Sequence, residues 1–353
     1  MKIRIKNWVA ELRVPFLTGT VVSVFLGSAI AWAKDNVFSL GFFLTALVGG
    51  ILLHLGANVS NDYFDHKSGN DEVNKEFVRP FSGGSRMIQS GLLTPREVFA
   101  GAITLYALAF LIGLYLTWAR GVFVLVLGLI GMFSGFSYTS PPFNWASKGV
   151  GEALVGLNFG TLMTFGAYYV QTQRLAWEPL IASVPISLLI TAVLYINEFP
   201  DYAADKVTGK KTLVVRLGRT NAMYGYVSIV ACAYAFICLG AIIGLTPPHT
   251  LLALLTLPLA IESTRKASRF HSNPFSLAPA NALTISIHFL TGVLLSASYL
   301  AYRFEMASLG GYFVMAIVGI CTFLTGYFYV KAKSELPTPL ANKAQTGMTH
   351  TSL

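Results

Sequence analysis

The stretch GFFLTALVGGILLHLGANVSNDYFD, residues 41–65, decides the fold. Residues 38–60 contain no Asp, Glu, Lys or Arg. An α-helix needs about 20 apolar residues to cross a hydrocarbon core of about 30 Å. The stretch therefore predicts a membrane-crossing helix, and two aspartates follow where that helix leaves the membrane.

The same apolar pattern recurs along the whole chain. Of its 353 residues, 54% are hydrophobic and 12% are charged, and the mean hydropathy is +0.61. Soluble domains carry about 25% charged residues. Because only helices and closed barrels satisfy the backbone inside a bilayer, we expect an all-α, polytopic bundle of nine or ten transmembrane helices. The candidate spans are 14–33, 38–60, 96–117, 121–139, 150–170, 178–199, 221–244, 249–263, 279–300 and 308–330.

Basic residues are distributed unevenly between the segments that join these spans. With the N-terminus inside, the inner segments hold all but four of the 25 Lys and Arg residues. The four on the outer side are Lys34, Arg120, Arg174 and Arg303. Cytoplasmic loops of membrane proteins collect Lys and Arg, so the net charge of +9 reflects topology and not nucleic acid binding. We expect a bacterial or archaeal cytoplasmic membrane, with the N-terminus on its cytoplasmic side.

The chain predicts one membrane domain and a polar tail. Residues 1–333 form the domain, and residues 334–353 are rich in polar residues and predicted to be disordered. The three cysteines, Cys232, Cys238 and Cys321, fall within spans and have no metal-type spacing. We expect no disulfide and no required protein partner.

Two acidic clusters lie on the inner side, in the predicted loops 61–95 and 200–220. The first is NVSNDYFDHKSGND, residues 58–71, and the second is NEFPDYAADKVTGKKTLVVRLG, residues 197–218. Asp62 and Asp65 are three residues apart and Asp201 and Asp205 are four apart, so each pair shares a helical face if the helix continues. Mg²⁺ commonly binds one or two carboxylates together with substrate phosphates. The two clusters predict the halves of one cation and diphosphate site.

Basic residues follow each acidic cluster. Positive-inside bias explains most of them. Arg79 and Lys210 are the exceptions we favour, because each lies near an acidic cluster and beside a turn residue, Pro80 and Gly209. The glycine pair in SGGS, residues 82–85, indicates a flexible turn over the mouth of a cavity.

At these residues the chain resembles the UbiA superfamily of intramembrane prenyltransferases. NDYFDHKSGND matches the first Asp-rich motif of that superfamily and DYAADKVTGKKTLVVRLG matches the second. Three further stretches resemble the branch that contains 1,4-dihydroxy-2-naphthoate polyprenyltransferase, an enzyme of menaquinone biosynthesis. They are RPFSGGSRMIQSGLLTP (79–95), YTSPPF (138–143) and GVGEALVGLNFGTLMTFGAYYVQTQ (149–173).

The resemblance implies Mg²⁺-dependent transfer of a polyprenyl group from polyprenyl diphosphate to an aromatic acceptor. For the naphthoate branch that acceptor is 1,4-dihydroxy-2-naphthoate and the product is demethylmenaquinone. The implied catalytic residues are Asp62, Asp65, Asp201 and Asp205, and the implied metal ligands are these four with Asp71. The implied substrate-binding residues are Asn58, Asn61, Asn197, Arg79, Lys210, Tyr138 and Lys148.

Three departures from the superfamily pattern affect this interpretation. The third acid of the first motif is displaced to Asp71, with Gly69 at the usual position, an offset that the naphthoate branch shares. Asn144 follows PPF where a basic residue is common, which leaves Lys148 as the nearest cation. The superfamily usually has nine transmembrane spans, so the predicted tenth span, 308–330, would be an extension.

Other interpretations stay open at this point. Homogentisate or 4-hydroxybenzoate are possible acceptors within the same superfamily. Outside enzymes, two related polar clusters also suit a transporter with repeated halves or a prenyl-lipid sensor. Transporters place their ion sites near the bilayer midplane, whereas these aspartates lie at its edge.

Overall fold

The computed structural model describes residues 2–303, and within this range every regular element is a helix. The predicted tenth span, Cys321 and the tail from residue 334 lie outside the described residues. In chain order the α-helices are α1 (Lys2–Glu11), α2 (Thr18–Asp35), α3 (Leu40–Lys67), α4 (Asn70–Val73), α5 (Pro95–Arg120), α6 (Phe123–Ser137), α7 (Gly151–Val155), α8 (Met163–Thr172), α9 (Trp177–Thr208), α10 (Leu213–Ile242), α11 (Leu257–Phe270) and α12 (Pro274–Arg303). A π-helical turn, Gly156–Leu162, joins α7 to α8, and 3₁₀ turns form at Val14–Leu17, Trp145–Lys148 and Pro248–Thr256.

Seven of the described helices are long and apolar enough to cross a membrane. They correspond to seven of the nine predicted spans that fall within residues 2–303. They are Val14–Asp35, Leu40–Lys67, Pro95–Arg120, Gly151–Thr172, Trp177–Thr208, Leu213–Ile242 and Pro274–Arg303. Together they make the chain an integral membrane protein. The predicted span 121–139 forms the shorter helix α6 of 15 residues, which at 1.5 Å per residue extends only about 22 Å.

The predicted span 249–263 is not one continuous α-helix. Its first part is the 3₁₀ turn Pro248–Thr256, and α11 begins only at Leu257. Pro258 lies in the first turn of α11, where its missing N–H has no intrahelical acceptor to lose. The proline therefore favours a helix start in the middle of the predicted span.

The most buried part of the molecule is built from α2, α9, α10 and α12. Tyr195, Tyr226 and Leu277 are fully buried there. Small residues permit close helix approach, and a Cβ on Gly27 would lie only 2.2 Å from the carbonyl oxygen of Thr164. Helices α3 and α5 are far less buried than α2, α9 and α12, and residues of α3, α5, α6 and α9 line a large cavity.

The acidic clusters begin on helices and not in the predicted loops. α3 continues through Asp62 and Asp65 to Lys67, because the first residue that favours a left-handed backbone is Gly69, with φ of 77°. α9 continues through Asp201 and Asp205 and stops at Gly209, with φ of 76°. The predicted loop starts at 61 and 200 were therefore wrong, and helix geometry fixes the direction of all four carboxylates.

Candidate active site

A single cavity of about 340 Å³ collects most of the predicted site residues at one end. Its body is apolar and is lined by residues such as Leu53, Phe110 and Leu127. Its polar end is lined by Asn58, Asn61, Asp65, Asp71, Tyr138, Asn197, Asp201, Asp205 and Lys210. The two acidic motifs, more than a hundred residues apart in sequence, therefore share one chamber.

Lys210 joins the two motifs directly. Its Nζ donates hydrogen bonds to both carboxylate oxygens of Asp65, at 3.1 and 3.0 Å. Burial alone would lower the pKa of Lys210, but the carboxylates of Asp65 and Asp205 raise it well above its usual value. These carboxylates therefore favour the positively charged form of Lys210 at the polar end of the cavity.

Asparagine side chains of the first loop hold the carboxylates of the second motif. Asn74 Nδ2 donates to Asp201 Oδ1 at 2.6 Å. Asn70 Nδ2 donates to Asp205 Oδ1 at 2.9 Å and to Thr208 Oγ1 at 2.9 Å. The segment after α3 is thus folded onto the end of α9.

Asp71, which replaces the usual third acid, belongs to the same cluster. It is buried on α4 and accepts a hydrogen bond from Gln89 Nε2 at 3.1 Å. Burial raises the pKa of Asp71 to about 8, and the nearby carboxylates of Asp65 and Asp62 add to this effect. A cation that binds beside a carboxyl with a raised pKa stabilises the charged form of that carboxyl.

Asp62 lies next to the cavity without lining it. Its Oδ2 accepts a hydrogen bond from the backbone N–H of Ser85 at 2.8 Å, and Arg13 Nη1 lies 3.6 Å from its Oδ1. That Oδ1 is buried and accepts no hydrogen bond in the described part of the chain.

The SGGS loop contacts both acidic motifs, which the sequence did not predict. The N–H of Gly83 donates to Asp201 Oδ2 at 3.3 Å, while the N–H of Ser85 donates to Asp62. Gly83 and Gly84 have φ of 74° and 66°, a region that side chains with a Cβ rarely adopt. The SGGS loop, which contributes Ser82, Gly83 and Gly84 to the cavity lining, is therefore hydrogen-bonded to a carboxylate from each motif.

The predicted asparagines and tyrosine lie on the cavity wall in different hydrogen-bonding states. Asn197 Oδ1 accepts from Asn281 Nδ2 at 2.7 Å, so α12 orients its amide. Asn58 Nδ2 donates to the carbonyl of Leu12 at 3.4 Å. Asn61 and Tyr138 line the chamber near the aspartates.

Two predicted substrate-binding residues are not brought to the cavity wall. Arg79 is exposed, and its Nη2 donates to the carbonyl of Ser85 at 3.3 Å. Lys148 is also exposed, with its ammonium 5.0 Å from the centre of the Trp145 ring. Sequence proximity to a motif did not bring either residue to the cavity wall, because proximity along the chain does not determine where an exposed side chain lies.

The polar end offers the ligand atoms that Mg²⁺ prefers. Carboxylate and amide oxygens from Asp65, Asp71, Asp201, Asp205 and Asn61 surround it, and these are hard oxygen donors. Within residues 2–303, no group of three or more His, Cys, Asp or Glu side chains is arranged to hold a metal ion by itself. The residues present fit a cation that also takes ligands from a bound phosphate.

Several residues at the site were not singled out from the sequence. Arg13, Asn70 and Glu198 all line the cavity, and Asn74 lies behind Asp201. Asn70 and Glu198 lie inside the quoted motifs. Both could have been selected from the sequence as polar residues near the motif aspartates. Arg13 has no such signal, since a left-handed backbone at φ of 51° after α1 places it there.

Comparison with known proteins agrees with this geometry. The model of the UbiA prenyltransferase family matches residues 20–278. The chain is 28% identical over 296 residues to 2-carboxy-1,4-naphthoquinone phytyltransferase of Synechocystis sp., with 83% of this chain and 93% of the relative covered. It is 30% identical over 308 residues to 1,4-dihydroxy-2-naphthoate octaprenyltransferase of Escherichia coli, with 83% and 96% covered.

Solved structures share the fold. A UbiA homolog from Aeropyrum pernix superposes with a TM-score of 0.59 at 16% identity, covering 80% of this chain and 96% of that one. A UbiA homolog from Archaeoglobus fulgidus, solved with DMAPP and Mg²⁺, gives 0.52 at 13% identity, covering 82% and 98%.

Proposed function

We propose that this chain, which belongs to the UbiA prenyltransferase family, transfers a polyprenyl group from polyprenyl diphosphate to 1,4-dihydroxy-2-naphthoate in a Mg²⁺-dependent reaction. Family membership makes the chain a prenyltransferase enzyme, and the two relatives described above carry names that specify naphthoate-type acceptors. The observation that carries the proposal is the pairing of Lys210 with Asp65 at the polar end of a long apolar cavity.

The polar end suits a diphosphate. Lys210 and Arg13 are cationic side chains on the cavity wall, and charge-assisted hydrogen bonds from such groups bind phosphate oxygens strongly. Asp65, Asp71, Asp201 and Asp205, with Asp62 behind them, are the residues that would hold Mg²⁺. The bound cation would supply positive charge that stabilises the departing diphosphate.

The remaining steps use the apolar part of the chamber. The allylic C–O bond breaks and its electron pair leaves with the diphosphate, which Lys210 stabilises as negative charge develops. The apolar walls accommodate the isoprenoid chain and exclude water from the allylic cation. The ring carbon that bears the carboxylate forms the new C–C bond, and the electrons of the broken C–CO₂ bond restore the aromatic ring. The products are a demethylmenaquinol, diphosphate and CO₂.

The test is an assay of the purified full chain in detergent with geranyl diphosphate, 1,4-dihydroxy-2-naphthoate and Mg²⁺. We expect a geranylated naphthoquinol by mass spectrometry, with one CO₂ released per product. Excess EDTA should stop the reaction and added Mg²⁺ should restore it. Product formation with 4-hydroxybenzoate or homogentisate but not with the naphthoate would reassign the acceptor. Product formation unaffected by EDTA would contradict the proposed role of the cation.

The membrane orientation is a further part of the proposal. The inner-side surplus of Lys and Arg supports an orientation with the acidic helix ends and the N-terminus in the cytoplasm. The test uses Lys75→Cys and Trp177→Cys, each as the single cysteine of a chain from which the native cysteines have been removed. A membrane-impermeant maleimide should label these two cysteines from opposite sides of the membrane. Labelling of Lys75→Cys in intact cells would overturn this orientation.

A further inference from the structure

His54 extends the polar face of α3 into the apolar part of the chamber. His54, Asn58, Asn61 and Asp65 follow the spacing i, i+4, i+7 and i+11, which places them on one face of the helix, and all four line the chamber. At 1.5 Å per residue, His54 lies about 6 Å beyond Asn58 and about 16 Å beyond Asp65 along the helix axis. A histidine within a membrane-spanning segment is by default a candidate functional residue.

One edge of the imidazole ring of His54 is held by α2. Nδ1 lies 2.9 Å from Oγ1 of Thr20, and Cε1 lies 3.8 Å from the position that a Cβ on Gly19 would take. The opposite edge carries Nε2 and Cδ2. In the described part of the chain, Nε2 is not one of the enclosed polar atoms without a hydrogen bond, whereas both ring nitrogens of His288 are. Because His54 lies on the cavity wall, its Nε2 edge is the one that faces the chamber.

Thr20 determines which imidazole nitrogen carries the hydrogen. Its side chain is fully buried, and within residues 2–303 its hydroxyl is hydrogen-bonded to His54 alone. A hydroxyl has one hydrogen to donate, and a buried donor is left unpaired less often than a buried acceptor lone pair. We therefore assign Thr20 as the donor to Nδ1, which places the ring hydrogen of a neutral imidazole on Nε2. The wall of the chamber thus carries a neutral N–H donor.

We propose that the Nε2–H of His54 donates a hydrogen bond to the carboxylate of the naphthoate and thereby fixes which ring carbon faces the prenyl donor. This inference rests on the proposed function and names a specificity residue for it. In the proposed reaction the diphosphate occupies the end of the chamber at Asp65 and Lys210, so the acceptor ring lies deeper, between that end and His54. Of the oxygens of the acceptor, those of the carboxylate carry the charge, and hydrogen bonds to charged groups are the strong ones.

A neutral donor suits a carboxylate that leaves as CO₂. When the C–CO₂ bond breaks, its electron pair returns to the ring and the negative charge of the carboxylate is lost. A cationic partner would stabilise the carboxylate before the reaction and would lose that stabilisation as CO₂ forms. The N–H of His54 orients the carboxylate with a smaller loss.

The test compares three ligands. 1,4-Dihydroxy-2-naphthoate carries the carboxylate and both hydroxyls, 1,4-dihydroxynaphthalene lacks the carboxylate, and 1-hydroxy-2-naphthoate lacks the second hydroxyl. Their binding to the full chain in detergent is measured by titration calorimetry under nitrogen, with Mg²⁺ and the unreactive analogue geranyl S-thiolodiphosphate present. Unmodified protein should bind 1,4-dihydroxy-2-naphthoate at least about tenfold more tightly than 1,4-dihydroxynaphthalene, because a hydrogen bond to a charged group is lost.

Three variants of His54 and one control test the residue. His54→Phe keeps an aromatic ring and removes the donor, so it should weaken binding of both carboxylates about tenfold and of 1,4-dihydroxynaphthalene less than about threefold. His54→Leu also lacks a donor and should give the same pattern. His54→Gln supplies an amide N–H and should recover at least about threefold of the lost affinity. The control, His271→Phe, replaces a histidine that bonds the carbonyl of Ser268 outside the chamber and should leave all three affinities within about twofold.

The outcomes separate this inference from the proposed function. Donor-free variants that bind all three ligands as tightly as unmodified protein would overturn the inference and leave the function intact. Equal weakening for all three ligands would also overturn it, since a packing role predicts that result. Weakening confined to the two ligands that carry the second hydroxyl would assign His54 to that hydroxyl and overturn the proposal as stated. Absence of any prenylated naphthoate from unmodified protein would instead refute the proposed function.

Discussion

Lys210 Nζ lies 3.0 Å from Asp65 Oδ2, so a lysine that follows the second acidic motif is held by a carboxylate of the first. The two residues are 145 positions apart in sequence. Both side chains are mostly shielded from solvent, and removing one partner of such a pair leaves the other charge uncompensated. The contact therefore couples the two halves of the site.

Two substitutions of Lys210 test whether its positive charge or only the size of its side chain is needed for activity. We expect Lys210→Met to lower kcat/KM by about a hundredfold or more, because a donor aimed at developing negative charge is lost. Lys210→Arg should retain more activity than Lys210→Met. Steady-state kinetics with geranyl diphosphate measures both variants. The matched control, Lys206→Met, removes an exposed lysine from the last turn of α9 and should change kcat/KM less than about twofold.

The two acidic motifs should be required separately. Asp65→Asn and Asp201→Asn remove one carboxylate from each half with almost no change in size, and each should lower kcat by at least about two powers of ten. Each variant should also need more Mg²⁺ for half-maximal activity. Asp35→Asn removes an acid that pairs with Arg174 elsewhere in the molecule and is the control. Normal turnover by either motif variant would contradict its assignment.

Gly84→Ala tests the contribution of the SGGS loop to activity. Its φ of 66° is unfavourable for alanine, and the new Cβ would lie 3.0 Å from Asp62 Oδ1. We expect at least about a tenfold loss of kcat/KM with a folded protein, because the strain falls on the contact between this loop and Asp62. Gly41→Ala is the control, since its Cβ would meet only Ser39 Oγ at 3.9 Å. Equal activity of both variants would contradict a positioning role for the loop.

Glu11 predicts a pH dependence of stability. Burial raises its pKa from 4.5 to about 8, and the negative charge of Asp62 adds to this effect. Because the folded state then binds the proton more tightly than the unfolded state, the free energy of unfolding should fall as pH rises from about 4.5 to about 8. Thermal unfolding in detergent between pH 5 and 8 measures this trend.

A neutral side chain at position 11 should flatten that pH profile. Glu11→Gln preserves a partner for Ser85 Oγ, which donates to Glu11 in the native protein, and cannot ionise. Its melting temperature should therefore fall less between pH 5 and 8. Glu262→Gln alters an exposed glutamate that pairs with Lys266 within one helix, and its profile should follow that of the unmodified protein. Parallel profiles for Glu11→Gln and the unmodified protein would contradict the prediction.

The sequence predicted the features that depend on local composition. Long apolar runs predicted the seven described membrane-crossing helices. The spacing of Asp62 with Asp65 and of Asp201 with Asp205 predicted two halves of one site. Asp65, Asp201 and Asp205 line one cavity, as does Asp71, which the resemblance implied, whereas Asp62 lies beside it. Helix bounds at the motifs were harder to predict, because Asp and Asn are poor helix formers and usually favour caps and turns. Tertiary contacts such as Lys210 with Asp65 override that preference here.

Features that depend on side-chain direction could not be predicted from the sequence. Arg79 and Lys148 were chosen for their position beside a motif, yet both are exposed and neither lines the chamber. Arg13 and Asn74 reach the site from segments whose sequences carry no motif of their own. A linear pattern gives the spacing along one helix, but not which residues of distant segments meet.

The SGGS loop fixes the separation of the two acidic helix ends by peptide geometry. Two N–H groups only two residues apart in the chain donate to Asp201 and Asp62, and the chain between such groups can span at most about 7 Å. A chimera that takes α9 alone from a relative would therefore lose the fit between Asp201 and the SGGS loop. A chimera that takes α9 together with residues 74–85 would preserve that fit. The short loop therefore limits how far apart the two acidic motifs can lie.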